Sequence, residues 1–170
     1  MSHESKNHYE IERKYLIALP DEKALSALPG ARRSDIVQTY LLSEKGERRV
    51  RKWTENGVVT YISTYKEKTN DSLRRIEIEN PITEEEYLTL LASADPSMNP
   101  LRKRRYTIPY GTLTAEIDLY PFFADRAILE IEIPSEDTPI RLPSFVTVIR
   151  EVTGETEYKN PVLARNYKSL

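Results

Sequence analysis

The chain contains no cysteine. That excludes disulfides, thiolate nucleophiles and cysteine-based zinc centres. Glycine is scarce, five in 170 residues, and none stands in a Walker-type loop that cradles phosphate with backbone amides. The HExxH and G-x-S-x-G signatures are also missing. No apolar run is long enough to span a bilayer. The polar start MSHESKNHYE has no apolar h-region, so no secretory signal is expected and a cytoplasmic location is the default. His3 and His8 both fall in that polar stretch and read as solvated side chains. A net charge of -2 conceals 25 basic and 27 acidic residues that nearly cancel. The bulk charge therefore points to neither nucleic acid nor an acidic tail. With no repeat, low-complexity tract or linker to divide it, the chain reads as a single domain over 1–170, long enough to bury a real core.

What is present is alternation. Period-two segments predict strands at 9–18, 36–42, 47–53, 58–68, 72–82, 103–109, 112–119 and 127–134. The turn signals between them, ENG at 55–57 above all, make consecutive strands antiparallel. Helices are few. Residues 20–28 read as a short one. Residues 83–94 are better marked: Thr83 and Glu86 have capping-box spacing, acids fill the first turn and Tyr87, Leu88, Leu90 and Leu91 form a stripe. A helix is also expected over 144–154, against its β-branched residues, and another over 160–167 with Asn160 as its cap.

One parity through the strands collects the charges. In YEIERKYL, Glu10, Glu12 and Lys14 share a face, with neighbours about 6–7 Å apart. The same parity pairs Arg49 with Arg51, Thr64 with Lys66, Arg75 with Glu77 and Glu79, Lys103 with Arg105, Glu116 with Asp118, and Glu130 with Glu132. Only the second strand carries no charged face and offers Gln38 instead. An ordinary half-exposed sheet would mix signs on its wet face. Here the third, fourth and sixth strands offer only cations and the seventh and eighth only anions. A closed barrel of about eight strands has an interior that holds side chains or one small ligand. Turned inward, these faces give a lumen with a cationic and an acidic wall, and a more apolar exterior that helices or a partner subunit must cover. The expected fold is therefore mainly β (α+β), a closed eight-stranded antiparallel barrel with a few flanking helices.

Such a lumen has a definite chemistry. Clustered carboxylates are hard oxygen ligands for Mg²⁺ or Mn²⁺. Converging Arg and Lys bind phosphate oxygens. A ligand that is both polyanionic and metal-chelating, such as inorganic triphosphate or a nucleoside triphosphate, satisfies both walls. Phosphoryl transfer rests mainly on position and electrostatics, so a catalytic cysteine or histidine is not required.

The EIERK segment is similar to the ExExK signature of the CYTH proteins, also called triphosphate tunnel metalloenzymes. The ordered series RVR, TYK, RRIEIE, KRR, EID and EIE resembles that family from Glu10 to Glu132, and YKNPVLA resembles the C-terminal segment of small bacterial members. The resemblance implies an eight-stranded tunnel, a divalent metal, a triphosphate substrate and a homodimer. It assigns Glu10, Glu12, Glu130 and Glu132 as metal ligands, Asp118 as a fifth and Glu116 as a further candidate. Lys14, Arg49, Arg51, Lys66, Arg75, Lys103 and Arg105 form the implied phosphate cradle, with Glu77 and Glu79 orienting those cations. Catalysis falls to Glu10, Glu12, Lys14, Glu130 and Glu132, and Tyr158 and Lys159 are placed near a tunnel mouth.

The leading expectation is metal-dependent hydrolysis of the terminal phosphoryl group of a triphosphate, inorganic triphosphate first, since nothing in the sequence picks out an organic leaving group. A class IV adenylate cyclase is the alternative enzyme, although no adenine pocket is legible. A polyphosphate- or nucleotide-binding module without turnover is the third reading, weakened by the number of carboxylates. The LRKRRY run divides its cations between two strand faces and lacks a stacking platform, which speaks against nucleic acid. Trp53 and Tyr61 are expected to pack on the barrel exterior.

Overall fold

The protein is described by a computed structural model over residues 6–70 and 74–170, with side chains from Tyr9 onward in the first segment. His3, the His8 side chain and the start of the expected fifth strand at Ser72 lie outside the described residues.

The described residues form nine strands: β1 (Lys6–Ala18), β2 (Arg32–Leu41), β3 (Glu47–Glu55), β4 (Val58–Lys68), β5 (Arg74–Ile82), β6 (Leu101–Tyr110), β7 (Leu113–Leu119), β8 (Arg126–Glu132) and β9 (Val148–Glu151). The first eight correspond to the eight predicted segments. They run antiparallel in the order β5-β4-β3-β2-β6-β7-β8-β1, and a β1–β5 pairing closes the barrel. The ENG turn is a tight hairpin: Asn56 and Gly57 both take positive φ, 50° and 76°, as a type I′ turn demands. Gly46 is confined more strictly, because a Cβ there would meet Lys66 O and the Tyr65 ring at 2.7 Å.

Among the described residues three α-helices flank the barrel: α1 (Glu22–Ser26), α2 (Glu84–Leu90) and α3 (Asn160–Asn166). The α2 capping box forms as expected, with Glu86 N donating to Thr83 Oγ1 at 3.1 Å, and a 3₁₀ turn Leu91–Ser93 follows it. Tyr87 of α2 packs against Leu41 and Val50 outside the sheet and lies beside Tyr61, whose exterior position is as expected. On the opposite side, Ile11, Ile17, Ile108, Ile117, Leu129 and Ile131 face outward and are covered by Leu25 of α1 and by Ile140, Phe145, Val146 and Val148.

Two expectations are corrected. Residues 144–154 form no helix. Val148–Glu151 instead makes strand β9, which hydrogen-bonds β1 opposite Tyr15–Ile17. The β-branched residues decide this locally, and a vacant edge of β1 provides the partner. β8 and β9 pair with the same stretch of β1, so they lie on opposite edges. β9 therefore follows β5 along one edge, and β1 changes partner between Ile11 and Tyr15. The second correction is at α3. Its N-cap is Lys159, and Asn160 lies already inside the helix. The Asn160 side chain is engaged elsewhere, with its Oδ1 accepting from Tyr120 Oη at 2.6 Å.

Candidate functional site

The charged parity turns inward. Glu10 and Glu12 of β1, Arg49 and Arg51 of β3, Lys66 of β4, Glu77 and Glu79 of β5, Lys103 and Arg105 of β6, Glu116 of β7, and Glu130 and Glu132 of β8 line one cavity of about 280 Å³. The choice of Lys103 and Arg105 within RKRR, which depends on register, agrees with this lining. Barrel order explains the two walls. The acidic strands β7, β8 and β1 are consecutive, and β3 and β4 lie together across from them. Lys14 and Arg75 face an adjoining cavity that shares Glu10 and Glu12 with the first. Asp118 is fully buried beneath the lining.

The walls do not stand apart. Arg51 Nη2 lies 2.5 Å from Glu79, and Lys66 Nζ lies 2.9 Å from Glu10 and 3.4 Å from Glu77. Lys14 Nζ lies 3.5 Å from Glu130 and donates to the Tyr158 carbonyl at 3.0 Å. Arg105 grips Asp118 with two bonds of 2.7 and 2.8 Å, contacts Glu116 and comes within 3.8 Å of Glu130. Lys103 Nζ adds a 2.8 Å bond to Asp118. Burial alone would raise the Asp118 carboxyl, but Arg105 and Lys103 outweigh it and hold the group far below the usual carboxylate range. Glu77 and Glu79 thus contact the cations they are expected to orient. Asp118, expected among the metal ligands, spends both oxygens on Lys103 and Arg105.

Glu12 is the opposite case. Burial raises its carboxyl, and the neighbouring Glu10 raises it further, more than Lys66 and Lys14 offset. Glu116 is raised by burial in the same way. Among the described residues, no three acidic or histidine side chains converge into a ready-made metal cage. The residues still fit a hard divalent ion. Mg²⁺ is commonly held by one or two carboxylates, with waters and substrate phosphates completing its shell. The imperfectly neutralised Glu10–Glu12 pair supplies such donors, with Glu130 across the strand boundary at a buried position and Glu132 at an exposed one.

Buried polar atoms without a hydrogen-bond partner mark where a ligand belongs. Here they include Arg49 Nε, Arg51 Nε, Thr64 Oγ1 and Gln38 Oε1. Two buried guanidinium donors facing a small cavity are a demand for an anion. Burial and the nearby Arg49 pull the Arg51 guanidinium down to about 10, a strain that negative charge relieves.

Some lining was missed. Trp53 faces the cavity rather than the exterior, and the Arg51 and Arg105 guanidiniums lie 5.5 and 6.0 Å from its ring. Its parity with Arg49 and Arg51 was the available signal. Beyond the charges the lumen turns apolar: Leu16, Tyr40, Leu101, Tyr120 and Ile128 pack against Tyr158, Leu163 and Ala164, so α3 and the turn before it fill that end.

No protein-family model matches the sequence, and no curated protein does either. Solved structures do match. The inorganic triphosphatase NE1496 superposes with a TM-score of 0.57 at 25% identity, over 93% of this chain and 99% of that one. PH1819 from Pyrococcus horikoshii OT3 gives 0.58 at 20% identity, over 75% of this chain and 80% of that one. A conserved hypothetical protein from Pyrococcus furiosus gives 0.54 at 18% identity with the same coverages. At these identities the two Pyrococcus proteins speak for the fold alone. The class is therefore a closed eight-stranded antiparallel tunnel lined with charge of both signs. Within that class the chain is similar to the inorganic triphosphatase NE1496, and its ordered strand series from Glu10 to Glu132 resembles that of the CYTH, or triphosphate tunnel, proteins.

Proposed function

We propose that the protein hydrolyses the terminal phosphoryl group of a triphosphate in a reaction that requires a divalent metal, with inorganic triphosphate as the substrate. The observation that carries this reading is the pair of buried, unpartnered arginine Nε donors beside a small cavity walled by further cations and carboxylates. The likeness to an inorganic triphosphatase supports it. The cavity, about 280 Å³, lies at the lower edge of small-molecule pockets and is lined almost wholly by charged groups. That favours a substrate that is all phosphate over one carrying a base.

Glu10, Glu12, Glu130 and Glu132 would hold Mg²⁺ or Mn²⁺. The bound ion would offset phosphate charge and polarise a water. Arg49, Arg51, Lys66 and Arg105 bind and orient the phosphate oxygens, and their charge meets the charge that develops on the departing diphosphate. Asp118 acts through Lys103 and Arg105 by fixing their position. Glu79 does the same for Arg51. Arg51→Ala should raise KM for triphosphate by roughly 10–100-fold, the range of a hydrogen bond to a charged group, and lower kcat by a smaller factor. A loss confined to kcat would remove Arg51 from the cradle.

The deciding experiment measures phosphate release from inorganic triphosphate, ATP and thiamine triphosphate, each with Mg²⁺, Mn²⁺ or chelator. Metal-dependent release from inorganic triphosphate in preference to the others is expected. Cyclic AMP and pyrophosphate from ATP would make the protein a cyclase. Tight triphosphate binding with no release would make it a binding module.

A further inference from the structure

Trp53, the only tryptophan of the chain, lines the tunnel without a charge to offer. It stands on the inward face of β3, about 13 Å along the strand from Arg49 and away from the end that α3 fills. Its register partner on β2 is the fully buried Ile36, which in turn lies opposite Lys103 of β6. The indole reaches over β2 toward β6. The Arg51 guanidinium lies 5.5 Å from its ring and the Arg105 guanidinium 6.0 Å.

The two arginines that share this ring are held differently. Arg105 donates from Nε and Nη2 to Asp118 and contacts Glu116 through Nη1, so its plane is fixed. Arg51 donates from Nη2 to Glu79, and its buried Nε has no partner. Burial and repulsion from Arg49 and Arg105 lower the Arg51 guanidinium, so these charges press on one another. A guanidinium bonded at one nitrogen can swing about that bond. Repulsion from Arg105 would turn it toward Glu79 and carry Nε with it. A second restraint is needed, and its chemistry matters. A second carboxylate would spend Nε and place negative charge where a polyanion must come. An aromatic face attracts the cation as a whole and leaves its in-plane N–H groups available.

We propose that Trp53 is a positioning residue for Arg51: its ring, braced by the fixed Arg105, restrains the Arg51 guanidinium and leaves Nε free for the substrate. The identity of that substrate rests on the triphosphatase reading. Trp53 itself makes no bond to phosphate. It acts through Arg51.

The test uses the full chain as wild type, Trp53→Leu, Trp53→Phe, Arg51→Ala and the Arg51→Ala/Trp53→Leu double variant. Thermal denaturation checks that each folds. Binding of inorganic triphosphate is measured by calorimetry in chelator, and turnover is measured separately with Mg²⁺. Trp53→Leu keeps apolar bulk without a ring and is expected to weaken binding by about 3–30-fold, the span of cation–π contacts from exposed to desolvated. KM should rise in step, with a smaller loss in kcat. Trp53→Phe retains a ring face and should stay within about threefold of the wild type. In the Arg51→Ala background the leucine substitution should cost less than about twofold, because the group it acts through is gone. Wild-type tryptophan emission comes from Trp53 alone and should change with triphosphate, saturating together with the heat of binding.

Equal losses in the leucine and phenylalanine variants, or the same leucine loss with and without Arg51, would reduce Trp53 to wall packing and overturn the proposal. Emission unmoved at saturating triphosphate would do so too. A larger loss for ATP than for inorganic triphosphate would make the ring a stacking platform for an organic leaving group instead. Triphosphate binding that follows the expected order in a protein that hydrolyses nothing would cancel the triphosphatase reading and leave the positioning role standing. Hydrolysis with binding indifferent to both Trp53 substitutions would do the reverse.

Discussion

Glu12→Gln is expected to reduce triphosphate turnover by about 10²–10³-fold while making the ligand-free protein more stable. The two effects have one cause. Glu12 is a half-buried carboxylate beside Glu10, and burial and repulsion hold its carboxyl above the ordinary range. A carboxyl raised on folding costs no stability below its unfolded value. The cost grows as pH rises through the folded value and is present in full above it. Glutamine removes the charge and keeps the shape, so the melting temperature at neutral pH should rise by roughly 2–4 °C, the shift that about 1 kcal/mol produces in a chain of this size. Added Mg²⁺ or Mn²⁺ should raise the melting temperature of the wild type more than that of the variant. Turnover that survives at saturating metal would take Glu12 out of the site. A fall in stability would mean that the fold already satisfies this carboxylate.

Asp118→Ala should have the largest effect on stability. Both Asp118 oxygens are bonded, and the side chain is fully buried together with Lys103. Truncation leaves an ammonium and a guanidinium without their counter-ion, a change that costs about 3–5 kcal/mol in buried pairs. That corresponds to a fall of roughly 6–20 °C in melting temperature, measurable by thermal denaturation. Inorganic triphosphate should restore part of the loss, because it brings negative charge to the same cations. A loss below about 1 kcal/mol would show that other groups hold Lys103 and Arg105 in place.

The barrel was legible because its strands obey one rule throughout. Alternation located eight segments, and charge on a single parity identified the inward face, down to the choice of Lys103 and Arg105 over Arg102 and Arg104. The same rule holds Trp53 inward, beside Arg51, against its expected exterior position, and Lys68 inward, beyond Lys66, a residue the sequence reading did not name. What the rule could not give was the change in lining along the tunnel. Leu16, Tyr40, Leu101, Tyr120 and Ile128 share the parity of the charges and belong to a different environment, created by α3. That packing is tertiary, and the α3 segment alone does not reveal which end it fills. Strand β9 was illegible for a related reason. A segment of four residues has weak periodicity, and only the open edge of β1 makes it a strand. Asp118 reads in sequence as one more acid beside Glu116. Only its depth in the wall shows that cations have claimed it.

Strand β1 is made before its partners and completed after them. It hydrogen-bonds β5, β8 and β9, so the barrel cannot close until β8 has left the ribosome. Contacts this distant in sequence slow folding, and an unpaired strand edge that waits is open to association with other chains. Glu10, Glu12 and Lys14 lie on one face of that strand, where their charge keeps the waiting segment hydrated and discourages stacking. The residues proposed to hold metal and phosphate in the finished tunnel thus guard the nascent chain against aggregation before any tunnel exists.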